Sequence, residues 1–142
     1  MASMIGSKVE RKEDKKFLTG KGRYTADITL HNQSYAVFIR SPHARAKIKG
    51  IDTAKAKKAS GVIDVLTGKD LADDKIGGLI AGWKIVSKDG TDMKCPAHPA
   101  LATDTVNYVG DHVALVIAES LQEAKDAADL VNVDYKVLKA VA

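Results

Sequence analysis

The first half of the chain contains short runs in which apolar residues recur at every second position, as in strands with one buried face. Residues 35–40 are rich in β-favouring apolar residues, and the Ser-Pro-His sequence at 41–43 interrupts them as a turn. Residues 44–51 alternate between apolar and basic side chains. With the apolar run at 62–66, these patterns predict three strands, and Thr-Gly-Lys-Asp at 67–70 then predicts a turn or a short helix.

Further strands are predicted from the apolar runs in the second half of the chain. Residues 79–86 and 93–95 flank a Lys-Asp-Gly sequence, and Asp-Gly between apolar runs favours a hairpin. The runs at 106–109 and 112–118 are separated by a Gly-Asp pair. The second of these is apolar enough for a central strand covered on both faces. Residues 131–135 return as a strand.

Two main helices are predicted between these strands. Asp52 can cap a short helix over residues 53–60, which Gly61 ends. Ser120 and Glu123 stand at the spacing of a capping box and open a second helix. The residues that recur on one face of this helix are Leu121, Ala124, Ala128 and Val131. The pattern as a whole predicts an α+β (mixed α/β) fold with a mixed sheet of about six or seven strands.

Composition limits the chain to one folded domain. With 142 residues, 45% of them apolar, it can build one core and bury roughly two thirds of its unfolded surface. Aromatic residues make up only 5%, so this core must consist mainly of Val, Ile, Leu and Ala. We predict a single domain over residues 26–142, preceded by a basic N-terminal arm over residues 1–25.

The net charge of +4 lies entirely in the arm, which holds seven Lys or Arg against three Asp or Glu. A nucleic-acid-binding domain spreads Lys and Arg along a folded face with aromatic residues between them, and residues 26–142 do not. We therefore expect no nucleic-acid partner. The arm is either a solvated segment or a segment that docks on another part of a larger assembly.

The sequence also bears on the compartment. No apolar run approaches the length of about 18 residues that spans a bilayer, and the lysine-rich start lacks the apolar region of a secretion signal. The lone Cys95 cannot form an internal disulfide, which agrees with a reducing compartment. We expect a cytoplasmic protein without a membrane span.

Two candidate ligand sites are weak on spacing. Gly20 and Gly22 suggest a phosphate loop, but Thr25 occupies the third glycine position and the flanking strand and helix are missing, so a turn is favoured. Cys95 and His98 could supply two metal ligands. A structural zinc needs four ligands, and residues three apart in an extended segment face opposite sides, so we assign no metal site here.

Candidate catalytic groups are equally weak. Ser41 with His43 suggests a nucleophile and base, yet no acid is placed to orient the histidine and no elbow glycines surround the serine. The Asp pair at 73–74 and the acidic cluster at 10–14 lie in polar stretches where carboxylates stay hydrated. Trp83, the only tryptophan, fits a core or an interface better than a ligand platform. We therefore assign no catalytic, cofactor-binding or metal-binding residue.

Several segments in a fixed order carry a resemblance to a known family. The longest are RKEDKKFLTGKGRYTADI at 11–28, IRSPHARAKI at 39–48 and PALATDTVNYVGDHVALVIAES at 99–120, joined by shorter matches at 50–52, 61–71 and 133–135. From about residue 6 to 135, the chain resembles the opening α/β hammerhead domain of the large, molybdenum-binding subunit of carbon monoxide dehydrogenase. That enzyme belongs to the xanthine dehydrogenase and aldehyde oxidase family. The segment at 11–28 favours the carbon monoxide dehydrogenase-like, bacterial branch.

This resemblance implies a parent enzyme, a molybdopterin-dependent oxidoreductase with iron–sulfur clusters and FAD on partner subunits. In the family, the cofactor contacts and the catalytic residues lie in a later region of the large subunit, and none of those motifs occurs here. Cys95 lacks the neighbours of the family's active-site cysteine. The resemblance therefore implies a scaffold domain that packs on the cofactor region and on partner subunits and has no catalytic residue of its own.

The arm is the candidate docking element of this scaffold. Phe17 and Leu18 would fill a hydrophobic contact, while Arg11 and Lys16 would meet carboxylates of the rest of the large subunit or of a partner. The alternative is a stand-alone interaction module with the same fold. Because the chain ends just after a predicted strand, we expect the natural chain to continue past Ala142. A reading frame that continues for several hundred residues with the molybdopterin motifs would favour the scaffold domain. A stop soon after Ala142 would favour the alternative.

Overall fold

The computed structural model describes residues 5, 6, 8, 10–80 and 82–140. The chain divides into two compact units, Met1–Gln33 and Ser34–Ala142. The first unit includes the whole of the predicted arm, and its described part contains a short helix, α1 (Asp14–Leu18), and a single 3-10 turn at Thr25–Asp27. Both sheets and the longer helices belong to the second unit.

Six strands of the second unit form two antiparallel sheets. They are β1 (Tyr35–Arg40), β2 (Ala46–Asp52), β3 (Val62–Thr67), β4 (Thr105–Val106), β5 (His112–Ala118) and β6 (Asn132–Val137). One sheet has the order β1-β5-β3 and the other β4-β2-β6. The predicted α+β class is confirmed, but the strands lie in two three-stranded sheets rather than in one mixed sheet.

The central strand β5 contributes to both hydrophobic cores. Val113 packs in the core of the β4-β2-β6 sheet, together with Ala46, Ile48, Ala102 and Val106. Val116 packs in the second core, which includes Val65 of β3. All of these residues are at most 9% exposed. The prediction that this run forms a central strand is confirmed, because β1 and β3 pair with its two edges.

Helix α3 (Leu121–Asp129) covers one face of the β1-β5-β3 sheet. Its Ala127 is fully buried in the same core as Val116, and Ile39 packs against this core. Ser120 caps the helix: its Oγ accepts a hydrogen bond from the backbone N–H of Glu123 at 3.2 Å and donates one to Glu123 Oε2 at 2.7 Å. The cap at Ser120 is therefore as predicted. It differs from a capping box in that the Glu123 carboxylate accepts from the serine hydroxyl instead of from the Ser120 backbone N–H.

The predicted helix over residues 53–60 is wrong in extent. The structure has only a 3-10 turn at Ala56–Lys58, with a bond from Ala54 N–H to Asp52 Oδ1 at 3.0 Å before it. Ala56 alone is buried there, so little apolar area offsets the cost of starting a helix. The second α-helix of this unit is instead α2 (Gly68–Asp73), which begins at the predicted Thr67 turn. Asp70 Oδ2 accepts bonds from the Thr67 hydroxyl and N–H, which lower the pKa of Asp70.

Two predicted strand regions are shorter than expected. The run at 106–109 ends as β4 at Val106, because Asn107 N–H donates to the Asp111 carboxylate at 2.9 Å and turns the chain. The predicted hairpin after residue 79 has its turn, with Gly90 at φ +81° and a bond from Met93 N–H to Ile85 O at 3.0 Å. Beyond that turn, only isolated bridges join Val86 with Asp92 and Leu79 with His98 among the residues described.

The cap of α3 leads to a prediction about stability. We expect Ser120→Ala to lower the free energy of unfolding by about 1 kcal/mol, because the Glu123 N–H loses its acceptor. Chemical denaturation of the whole chain measures this. Ser60→Ala, at an exposed serine in the turn before β3, is the matched control and should change stability by less than about 0.5 kcal/mol. Equal losses in the two variants would show that the cap contributes nothing.

Candidate functional site

Large apolar side chains are exposed along residues 76–93, which we call the apolar loop. Ile80 is 93% exposed and Trp83 is 87% exposed. Ile76, Leu79, Ile85 and Val86 are each more than half exposed. Of the two environments predicted for Trp83, this exposure excludes the core, and an interface stays a prediction.

Local hydrogen bonds hold the far end of this loop. Asp89 Oδ1 accepts from the Thr91 hydroxyl at 2.7 Å and from the Thr91 N–H at 3.0 Å, and these bonds lower the pKa of Asp89. The N–H of Ser87 donates to the carbonyl of Thr91 at 2.9 Å. These bonds thus shape the turn that follows the exposed apolar side chains.

An apolar cavity lies between the β1-β5-β3 sheet and the start of the apolar loop. Phe38, Leu115 and Leu66 form one rung across the three strands, and side chains at these positions point away from α3. They form one wall of an open cavity of about 380 Å³. The other lining residues are Leu71, Asp74, Ile76, Leu79, Ala100, Leu101 and His112.

An aromatic stack marks one side of this cavity. The rings of Phe38 and His112 are stacked with centroids 4.3 Å apart, and the Arg40 guanidinium lies 5.9 Å from the Phe38 centroid. Phe38 is still 41% exposed. The cavity therefore offers a wide apolar and aromatic surface with few polar groups, of a kind that accepts apolar side chains.

The predicted docking residues are all in the first unit. Leu18 is 87% exposed and Lys16 is exposed, whereas Phe17 is half-buried and its ring stacks on Tyr24 with centroids 5.0 Å apart. Arg11 Nε donates to Asp14 Oδ1 at 3.0 Å in an exposed ion pair.

The glycines of the arm serve a turn, as the sequence predicts. Gly20 has φ +68° and ends α1, where Lys21 N–H donates to Lys16 O at 2.9 Å. A side chain on Gly22 would collide with the Phe17 ring. The glycine pair thus has a structural explanation without a phosphate.

Ser41 is a buried structural residue. It is 2% exposed, and its hydroxyl lies 3.0 Å from both the carbonyl and the N–H of His43. Its own N–H donates to Asp111 O and its carbonyl accepts from Gly110 N–H, both at 2.8 Å. The serine hydroxyl is therefore bonded to the backbone of its supposed base.

The ring of His43 faces a half-buried tyrosine. It packs edge-on against Tyr135 with centroids 5.0 Å apart. Burial raises the pKa of Tyr135, and the charge of Asp111 adds to the effect, although a bond with Ser41 opposes it. Asp111 is 4% exposed. These groups join the β1–β2 turn, the β4–β5 turn and β6, which is a packing role that sequence spacing does not indicate.

The remaining sequence candidates do not come together. Cys95 is exposed, and His98 Nε2 lies 3.4 Å from the Tyr108 hydroxyl. Burial, with the nearby charge of Asp111, raises the pKa of Tyr108. No group of three His, Cys, Asp or Glu with metal-binding geometry occurs within the described ranges. The acidic residues Glu10, Glu13, Asp73 and Asp74 lie at the exposed surface.

Among the helices that the structure describes, none has both the length and the apolar composition needed to cross a bilayer.

The polar candidate residues described above serve mainly in turns and caps, and the most unusual surface of the described chain is apolar. That surface consists of the apolar loop and the cavity beside it.

Comparison with known proteins identifies the domain. Residues 19–139 match the family model described as "Aldehyde oxidase and xanthine dehydrogenase, a/b hammerhead domain". The chain is 41% identical to the nicotine 6-hydroxylase large subunit of Paenarthrobacter nicotinovorans over 98% of its own length and 16% of that subunit. It is 38% identical to the carbon monoxide dehydrogenase large chain of Afipia carboxidovorans over 94% of its own length and 15% of that chain.

A solved structure agrees with these sequence matches. Quinoline 2-oxidoreductase from Pseudomonas putida 86 superposes with a TM-score of 0.82 at 38% identity, over 96% of this chain and 16% of that one. The chain thus spans about one sixth of the length of the proteins it matches. The chain belongs to the xanthine dehydrogenase and aldehyde oxidase family, as an α/β hammerhead domain.

Proposed function

We propose that this chain is the scaffold domain of the large subunit of a bacterial, cytoplasmic molybdenum hydroxylase. In this role it packs on the cofactor region of the same subunit and on the partner subunits, and it supplies no catalytic residue. The observation that carries the proposal is the exposed apolar loop, above all Trp83 at 87% and Ile80 at 93% exposure.

Exposure on this scale requires a partner. Large contiguous apolar patches on otherwise soluble domains mark interaction sites. Burying one large apolar side chain contributes roughly 1.5–3 kcal/mol, so the two most exposed large apolar residues of the apolar loop, Ile80 and Trp83, can contribute substantially to a contact. Because the matched relatives are about six times longer than this chain, the remainder of a large subunit is the partner of suitable size.

We propose that molybdopterin is held outside this domain. In support, Ser41, the most deeply buried hydroxyl among the candidates, is bonded to its own turn. We therefore assign the cofactor and its chemistry to the rest of the large subunit, and the iron–sulfur clusters and FAD to partner subunits. The part of this chain is to hold the cofactor region in position.

A stand-alone interaction module remains the second candidate, since a fold does not fix a function. The same exposed loop would then bind an independent protein. The length of the natural reading frame distinguishes the two candidates, because only the scaffold role requires a cofactor region on the same polypeptide.

A hybrid enzyme tests the proposal. We define it as the carbon monoxide dehydrogenase of Afipia carboxidovorans whose large chain carries this chain in place of its 136 matched residues. We expect the hybrid enzyme to assemble, to retain molybdenum and to oxidise carbon monoxide, because the replaced segment contributes packing and no catalysis. Gel filtration, metal analysis and a rate assay measure these properties. A hybrid that retains molybdenum but oxidises no carbon monoxide would contradict the absence of catalytic residues.

Substitutions in the loop make the test specific. We expect Trp83→Lys together with Ile80→Lys to reduce the assembled fraction at least about tenfold, because two charges would enter an apolar contact. Leu130→Lys is the matched control, since Leu130 is 44% exposed and ends α3 on the other face of the sheet. Full assembly of the loop variant, or an equal loss in the control, would contradict the proposed contact.

We also propose that the basic arm docks in the assembled enzyme. Leu18 and Lys16 are exposed, and α1 has only five residues, so it has little stability of its own. The Phe17 ring stacks on Tyr24, and this contact orders the backbone next to Leu18 before docking. An acidic and partly apolar surface would match the arm, because residues 1–25 carry the whole net charge of the chain.

Hydrogen exchange tests the docking of the arm. We expect backbone amides of residues 10–25 to exchange rapidly in the isolated chain and at least about tenfold more slowly in the hybrid enzyme, because docking would protect them. Leu18→Lys should remove this protection, whereas Leu30→Lys, at another exposed apolar position of the first unit, should not. Strong protection throughout this segment in the isolated chain would show that the arm needs no docking partner.

A further inference from the structure

The cavity beside the apolar loop is an incomplete part of the hydrophobic core. On the face of β5 that points away from α3, Val113 is fully buried against the second sheet, whereas Leu115 two residues later lines the open cavity. Phe38 and Leu66 extend this uncovered surface across the neighbouring strands. The sheet is therefore covered at one end of this face and open at the other.

The chemistry of the cavity favours an apolar occupant. Of its ten lining residues, only Asp74 and His112 carry ionisable side chains, and His112 stacks on Phe38. A charged group placed among these walls would lose its hydration without gaining a buried counter-charge. The volume of about 380 Å³ exceeds the ~150 Å³ that holds one benzene ring, so the space accepts more than one apolar side chain.

Continuity with the apolar loop indicates where the occupant comes from. Ile76 and Leu79 line the cavity and also begin the loop, so one partner surface can cover both. The matched relatives have about five sixths of their length outside the aligned segment. A polypeptide long enough to reach the cavity is thus available within the same subunit.

We propose that this cavity is a socket that receives apolar side chains, aromatic or branched aliphatic, from the cofactor region of the large subunit. The inference rests on the proposed scaffold function and adds a defined contact to it. The side chains that fill the socket complete the cover of β5 and so hold the two regions together.

Filling the socket tests this contact in the hybrid enzyme. Ala100→Phe places a ring in the cavity and excludes the incoming side chains, while Ala54→Phe adds the same ring at an exposed position outside it. Ile76→Asp changes a rim residue that is 56% exposed, so it tests the socket even if the larger ring disturbs folding. Hydrogen exchange at residues 71–79 is the readout, in the isolated chain and in the hybrid enzyme.

We expect exchange at residues 71–79 to be at least about tenfold slower in the hybrid enzyme than in the isolated chain. Ala100→Phe and Ile76→Asp should each remove most of this difference, and Ala54→Phe should preserve it. If residues 82–93 become protected but residues 71–79 do not, the socket is wrong and the scaffold function stands. If the unsubstituted hybrid enzyme does not assemble, both fail.

Two further outcomes would overturn the socket by identifying another occupant. Protection of residues 71–79 in the isolated chain that grows with protein concentration, together with a dimer in gel filtration, would assign the cavity to a second copy. Protection produced by indole alone at micromolar concentration would assign it to a small aromatic ligand.

Discussion

Burial of β5 on both faces is the constraint on which the rest of the structure depends. Its apolar side chains cannot face water, so α3 covers one face, while β1 and β3 pair with the backbone groups at its edges. The second sheet covers the other face only around Val113. At Leu115 the cover stops and the cavity begins. The cover of β5 is therefore incomplete. The uncovered part lies at the cavity around Leu115, whose walls are mainly apolar.

The exposed apolar surface follows from the same shortage of cover. A domain of this size buries only about two thirds of its unfolded surface, and a sequence with 45% apolar residues must leave some of them outside. Single exposed apolar residues are ordinary. What differs here is their concentration in the apolar loop, where Trp83 and Ile85 are both largely exposed. A concentration of exposed apolar side chains fits a contact with another polypeptide.

Sequence reasoning succeeded where a local pattern decides the structure. β1, β5 and α3 follow from periodicity and from the Ser120 cap. It failed where a side-chain hydrogen bond or the amount of buried surface decides: the Asp111 carboxylate shortens the strand at β4, and Ala56 alone is too little core for a helix at 53–60. The cavity was beyond prediction because its walls come from segments far apart in the chain. An apolar run that packs inside the chain cannot be told from its sequence apart from one that packs on a partner, so the sequence leaves both a core and an interface open for Trp83.

The motifs that carried the family resemblance are devices of folding, and this explains what they can and cannot reveal. In the Ser-Pro-His sequence, the buried Ser41 is hydrogen-bonded to the backbone of His43 and to the backbone of Asp111. The glycine at 20 ends a helix, and Thr67 with Asp70 begins one. The backbone geometry at these positions requires such residues. Proteins with the same fold share that geometry even when they catalyse different reactions. The names of the relatives illustrate this, since the same domain occurs in a nicotine hydroxylase and in a carbon monoxide dehydrogenase. This agrees with the proposed scaffold role, in which the domain specifies an architecture and residues outside it select the substrate.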